Sequence, residues 1–73
     1  MDDRITLNGD HIKLGALLKL AGAVSSGGEA KDVIGDGLVK VNGIVSFERG
    51  KKIRAGDEVE IDDTKIFVDG EKN

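Results

Sequence analysis

VKVNGIV, residues 39–45, is the stretch that decides the architecture. Val39 to Val41 and Ile44 to Ser46 are short β-branched runs, and Asn42-Gly43 between them tolerates positive φ at both positions. That combination predicts an antiparallel hairpin closed by a type I′ turn. Beyond it Arg49, Lys51, Lys52 and Arg54 crowd into the segment RGKKIR, read here as the rim of the hairpin. Ala55-Gly56-Asp57 then turns the chain into Glu58 to Ile61, where Val59 and Ile61 alternate with acids, and Asp62-Asp63-Thr64 turns it again into a strand over Lys65 to Val68.

Upstream of the hairpin the hydrophobic period changes from two to about 3.6. Leu14, Leu17, Leu18 and Ala21 fall at i, i+3, i+4 and i+7, one face of a helix that Gly22 can end in the left-handed conformation. Ser26 and Glu29 have the spacing of a capping box, in which the hydroxyl accepts from the Glu29 N–H and the carboxylate reaches back to the Ser26 N–H. A second helix therefore starts at Ser26, buries Ala30, Val33 and Ile34, and stops at Gly37. Arg4 to Leu7 reads as a short strand closed by the turn residues Asn8-Gly9-Asp10. The order strand, two helices, then strands predicts an α+β fold with two packed helices on a small, mostly antiparallel sheet.

The 73 residues form one domain, with a folded core over 4–68 and residues 69–73 expected to fray. So small a core leaves little to line a deep substrate pocket. There is no cysteine, which excludes disulfide frameworks, thiolate zinc sites and cysteine nucleophiles, and makes the cytoplasm the expected compartment. The start MDDR is acidic where a signal peptide is basic, and no apolar run approaches the roughly 18 residues of a membrane span. His11, the sole histidine, lies in a turn with no matched nucleophile, and is read as a surface residue. Asp57, Glu58, Glu60, Asp62 and Asp63 lack calcium-loop spacing and are read as a solvated edge that discourages aggregation. No catalytic residue, metal or cofactor is expected.

The net charge of −3 conceals a segregated pattern. Residues 11–54 carry eight basic and four acidic side chains, a balance of +4, whereas residues 55–73 carry seven acids and two lysines, a balance of −5, and the first ten residues add −2. The middle of the chain is basic and its ends are acidic, which can mark an electrostatic footprint or simply a solvated face.

The runs LKLAG, SSGGEAK, GLVKVNG and RGKKIRAGDEVEI, in that order and spacing, resemble the αL RNA-binding domain named after ribosomal small-subunit protein S-four, in its small stand-alone form, the YaaA/YbcJ type. The resemblance covers about Ile12 to Ile61. It implies a strongly bent sheet under the helical pair, with RNA lying over that pair and the adjoining hairpin, and it does not imply catalysis. In the broader family the first helix opens with a basic residue, Leu and an acid, and the second with Ser-Arg. Here those positions read Lys13-Leu14-Gly15 and Ser26-Gly27, so the acid and the Arg are missing. Lys13, Lys19, Lys31 and Lys40, with Arg49, Lys51, Lys52 and Arg54, are the basic positions the resemblance carries over.

Gly27 and Gly28 have two readings. A phosphate could dock on their backbone N–H groups together with Ser26, or the glycines merely shape the entry to the helix. With no Tyr or Trp, stacking platforms are scarce, so structured RNA is the expected ligand class. Phe67 is assigned to the core, and Phe47 either to the core or to covering a base. The expected protein is thus a monomeric, non-catalytic RNA-binding module, with a translation or ribosome-associated protein as a further partner. The rival is an adaptor that offers the same basic face to an acidic protein.

Overall fold

The computed structural model describes residues 2–70. Its elements run β1 (Asp2–Leu7), β2 (Ile12–Lys13), α1 (Leu14–Leu20), α2 (Gly27–Gly35), β3 (Val39–Val41), β4 (Ile44–Val45), β5 (Lys52–Ile53), β6 (Glu58–Ile61) and β7 (Thr64–Gly70). Five strands form a mixed, mostly antiparallel sheet in the order β1-β7-β6-β3-β4, and β2 pairs with β5 in a separate two-stranded sheet. Among the described residues one pairing is parallel, and it joins the first and last strands, β1 to β7.

Local chemistry accounts for the element boundaries. Asn42 and Gly43 both have positive φ, 52° and 85°, and Val41 faces Ile44 across them, as a type I′ turn requires. The ladder extends to Ser46, whose N–H donates to the Val39 carbonyl. Both helices end in Schellman motifs. In α1, Gly22 N–H reaches the Lys19 carbonyl and Ala23 N–H the Leu18 carbonyl. In α2, Gly37 N–H reaches Ile34 and Leu38 N–H reaches Val33. Gly22 and Gly37 supply the left-handed residue, each at φ 75°.

The core lies between the helices and one face of the sheet. Leu14, Leu17 and Leu18 of α1 and Ala30 and Ile34 of α2 meet Val39, Val41, Val59, Ile61, Ile66 and Val68 from alternate strand positions, with Leu7, Val24 and Ile53 completing it. Burying a Leu, Ile or Val side chain contributes about 1.5–3 kcal/mol, so this cluster outweighs the cost of the two short helices.

Several expectations are corrected. Arg49 to Ile53 is not the rim of the hairpin: it leaves the first sheet, and β5 pairs with β2 at the start of α1. Phe67 is not a core residue. It shares the outer face of β7 with Lys65, half-buried, while Ile66 and Val68 point inward, and the Arg4 guanidinium lies 5.7 Å from its ring centroid. The acidic segment is not an edge, because β6 sits between β3 and β7. The strand β7 continues through Asp69 and Gly70, two residues into the stretch expected to fray, where they pair with Thr6 and Leu7. The rest of that stretch, residues 71–73, lies outside the described residues. The capping box closes one residue early: Ser26 Oγ does accept from Glu29 N–H at 3.1 Å, but the Glu29 carboxylate accepts from Ser25, at 2.6 Å from its N–H and 3.1 Å from its hydroxyl.

Candidate nucleic-acid interface

The start of α1 organises the basic face. Lys13 occupies the N-cap position and makes no side-chain cap. The first helical N–H groups are taken instead by the incoming loop: Leu14 N–H donates to the Lys51 carbonyl at 2.8 Å and Gly15 N–H to the Arg49 carbonyl at 3.0 Å. Two carbonyls of the RGKKIR segment thus cap the helix, which fixes the segment while leaving its side chains unused. Gly15 allows this approach. A Cβ there would stand 2.7 Å from Arg49 Cγ, inside any permissible contact, so the Arg49 stem lies across a gap that only glycine leaves.

A cavity of about 390 Å3 opens beside this junction. Its floor is made of small residues, Gly15 and Ala16 of α1 and Gly27 and Ala30 of α2, and Lys13, Lys19 and Arg49 stand around it. Lys19 follows Gly15 by one helical turn, and exposed Lys31 follows Gly27 by one turn on the same side of α2. Glu29 N–H and Ala30 N–H are already taken by Ser26, which leaves the N–H groups of Gly27 and Gly28 without a protein acceptor among the described residues. Ser26 therefore acts as the cap of α2, and of the Ser26-Gly27-Gly28 trio only Gly27 lines the cavity.

The strand pairing adds a cation that spacing alone does not place. Lys13 and Lys52 are directly opposed across β2 and β5, both exposed, while their neighbours Ile12 and Ile53 turn inward. Two like charges in this register cost roughly 0.5–1 kcal/mol at the surface, a cost the fold alone gives no reason to carry. Among the described residues, Lys13, Lys19, Lys31, Arg49, Lys51 and Lys52 have no carboxylate within 4.0 Å.

The remaining basic residues disperse. Lys51 leaves the cavity and lines a second depression beside Phe47. Arg54 turns toward Asp10, 3.9 Å away, and its N–H donates to Asp57 Oδ2 at 2.8 Å. Lys40 projects between buried Val39 and Val41, hence from the outer face of the sheet, where it is paired in register with Glu60. The sheet separates it from the cavity. On that outer face the charges neutralise one another, with Arg4 bound to Asp69 at 2.7 Å and Lys65 3.8 Å from Glu58.

Asp57 braces the turn after the basic segment. It accepts from Arg54 N–H and, at 3.1 Å, from the Asn42 amide, whose own oxygen accepts from Glu58 N–H at 2.9 Å. The tip of the β3–β4 hairpin is thereby tied to the turn that ends the basic segment. The Arg54 backbone hydrogen bond, helped by Asn42 and the nearby Lys51 and Arg54 charges, holds the Asp57 carboxyl below its ordinary value against the opposing effect of partial burial. Among the described residues, no cluster of three or more metal-ligating side chains occurs, and no helix is long and apolar enough to cross a membrane.

Taken together, these features define a class: a small α+β domain whose basic face is built from two packed helices and one carbonyl-anchored loop. The chain belongs to the S4 domain family, whose model matches residues 5–69. It is 40% identical over 62 residues to the protein of Bacillus subtilis (strain 168) called "Probable ribosome maturation protein RlbA", covering 85% of this chain and 87% of that one. It is 47% identical over 49 residues to YbcJ of Escherichia coli (strain K12), covering 67% and 70% respectively. The solution structure of E. coli YbcJ, described as revealing an αL motif involved in RNA-binding, superposes with a TM-score of 0.71 at 37% identity, over 90% of this chain and 85% of that one.

Of the residues singled out from the sequence, Lys13, Lys19, Gly27 and Arg49 line one cavity; Gly15, which seats Arg49, was not among them. The available signal was a glycine in the first turn of a helix, unfavourable by propensity and therefore in need of a packing reason.

Proposed function

We propose that this chain binds structured RNA through its phosphate backbone, without catalysing a reaction, on the face formed by α1, the start of α2 and the Arg49–Lys52 loop. The observation that carries the reading is the cavity: a floor of glycine and alanine that admits close approach, surrounded by Lys13, Lys19 and Arg49, with Lys52 beside Lys13 and no acid paired to any of them among the described residues. Arg49 supplies two parallel donors to one phosphate and the lysines act as point charges. The opposed Lys13–Lys52 pair gains most from an intervening anion, because binding converts a repulsion into two attractions. The E. coli relative's αL motif involved in RNA-binding supports RNA as the polyanion, and the B. subtilis relative's designation supports ribosomal RNA as the kind to try first.

With four cations engaged, the logarithm of the affinity for a stem-loop RNA should fall against log salt with a slope near −3 to −4. A variant carrying K13E, K19E and R49E should stay folded and lose most of that affinity, since exposed charges contribute under about 1 kcal/mol each to stability. A flat salt response, or a folded triple variant that binds as tightly as the parent, would overturn the proposal. An acidic peptide bound better than RNA at equal salt would move the face to the adaptor class.

A further inference from the structure

The loop from Ser46 to Lys51 has two sides. Arg49 and Gly50 border the basic cavity, whereas Phe47, Glu48 and Lys51 wall a second depression of about 410 Å3 against Asn42, Ile44 and Val45 of the hairpin. In a chain this poor in aromatics, Phe47 is left 65% exposed and Ile44 73% exposed. The Phe47 ring is nevertheless seated: its Cε1 and Cζ atoms lie 3.3 and 3.5 Å from where a Cβ on Gly37 would stand. A ring that lies over the end of α2 and is open to solvent can serve as a stacking platform.

We infer that this depression receives one unpaired nucleobase of the bound RNA, stacked on Phe47, while Lys51 and Arg49 hold the phosphates that flank it. The inference rests on the RNA reading above and narrows its ligand to a duplex interrupted by an unpaired nucleotide. Continuity identifies the occupant, because the two concavities are separated only by the turn that carries Arg49 and Lys51, and a nucleotide has a charged backbone and a flat apolar face that match the two sides. A second copy of the chain fits less well. The free edge beside the depression, β4, is two residues long and too short to extend a sheet. Asn42 is consumed by Asp57 and Glu58, so stacking rather than amide readout does the recognition.

The test compares a blunt RNA duplex with the same duplex carrying one bulged adenosine, by fluorescence anisotropy at fixed salt. The parent should prefer the bulged duplex by about tenfold. F47A and F47L should lose that preference while binding the blunt duplex as the parent does, and F47W should keep it. The leucine variant retains an apolar cover, so it separates stacking from simple packing, and thermal melts establish that each variant is folded. A parent that binds both duplexes with a steep salt slope but without preference overturns the base site and leaves the phosphate reading intact. Binding to neither duplex overturns both. F47L behaving as the parent overturns stacking, and self-association of the parent that F47A abolishes would make the depression a contact between copies and likewise overturn it.

Discussion

Gly15→Ala sets helix propensity against the seat of Arg49. The added methyl would stand 2.7 Å from Arg49 Cγ and 3.4 Å from Cδ, but 3.6 Å from the Arg49 carbonyl oxygen, an ordinary contact. The side chain must therefore swing away while the Gly15 N–H to Arg49 carbonyl bond, 3.0 Å, is kept. Alanine contributes up to about 1 kcal/mol over glycine in a helix. Forcing the Arg49 stem off its preferred rotamer costs about 0.5–1.5 kcal/mol. These nearly cancel, so the melting temperature should move by less than about 8 °C in either direction.

Binding should not be spared in the same way. Withdrawing one charge-assisted contact removes about 1.5–3 kcal/mol, roughly ten- to a hundredfold in affinity, and makes the salt slope shallower by just under one unit. The assay is a double-mutant cycle of G15A and R49A, with anisotropy titrations of a stem-loop RNA at several salt concentrations. If Gly15 acts through Arg49, the double variant binds no more weakly than R49A alone. Losses that add, or a G15A protein that keeps the parent's slope and affinity, would refute the reasoning.

Two other outcomes follow from the same geometry. Lys52→Glu converts the opposed Lys13–Lys52 pair to an attractive one, so at low salt the domain should melt a few degrees higher while RNA binding weakens and its salt slope flattens; a lower melting temperature that salt does not change would contradict it. Asp57 carries a depressed pKa, so its contribution to stability is fully present above the carboxyl's unfolded value of 3.8 and is lost as pH falls through the lower folded value. D57N should accordingly be less stable than the parent at pH 7, with a gap that narrows as pH falls below 3.8, and urea unfolding that shows the same gap at pH 7 and pH 3 would remove the depression as its cause.

What the sequence disclosed was local. The two helices, their glycine stops and the Asn42-Gly43 hairpin each depend on residues within about a dozen positions of one another, and periodicity carries that information. The β2–β5 pair is different. Two residues have no period, and the partner lies 39 positions away, so the assignment of Lys52 opposite Lys13 exists only in the assembled fold. The parallel placement of β1 beside β7 was hidden for the same reason. Phe67 was legible and misread: in Lys65-Ile66-Phe67-Val68-Asp69 the alternation already sets Ile66 and Val68 against a face that holds Lys65, Phe67 and Asp69. Ser25 and Ser26 offer Glu29 equivalent donors, and spacing alone does not choose between them. Of the eleven residues assigned to binding, Lys13, Lys19, Gly27 and Arg49 converge on one cavity, while Lys40 lies across the sheet, because a strand alternates faces every residue.

The way the loop is anchored explains how a protein of net charge −3 can maintain a basic face. The Arg49–Lys51 segment is attached to α1 through two backbone carbonyls, so its side chains take no part in holding it. Five of the acids are used where they bind or balance something: Asp57 closes the turn after the basic segment, Glu29 fastens the entry to α2, and Glu58, Glu60 and Asp69 accompany Lys65, Lys40 and Arg4 on the far side of the sheet. Each of these positions is separated from the cavity by structure or committed to a hydrogen bond. Folding therefore imposes no demand for a carboxylate beside Lys13, Lys19 or Arg49, and an approaching polyanion meets cations it does not have to detach from a partner.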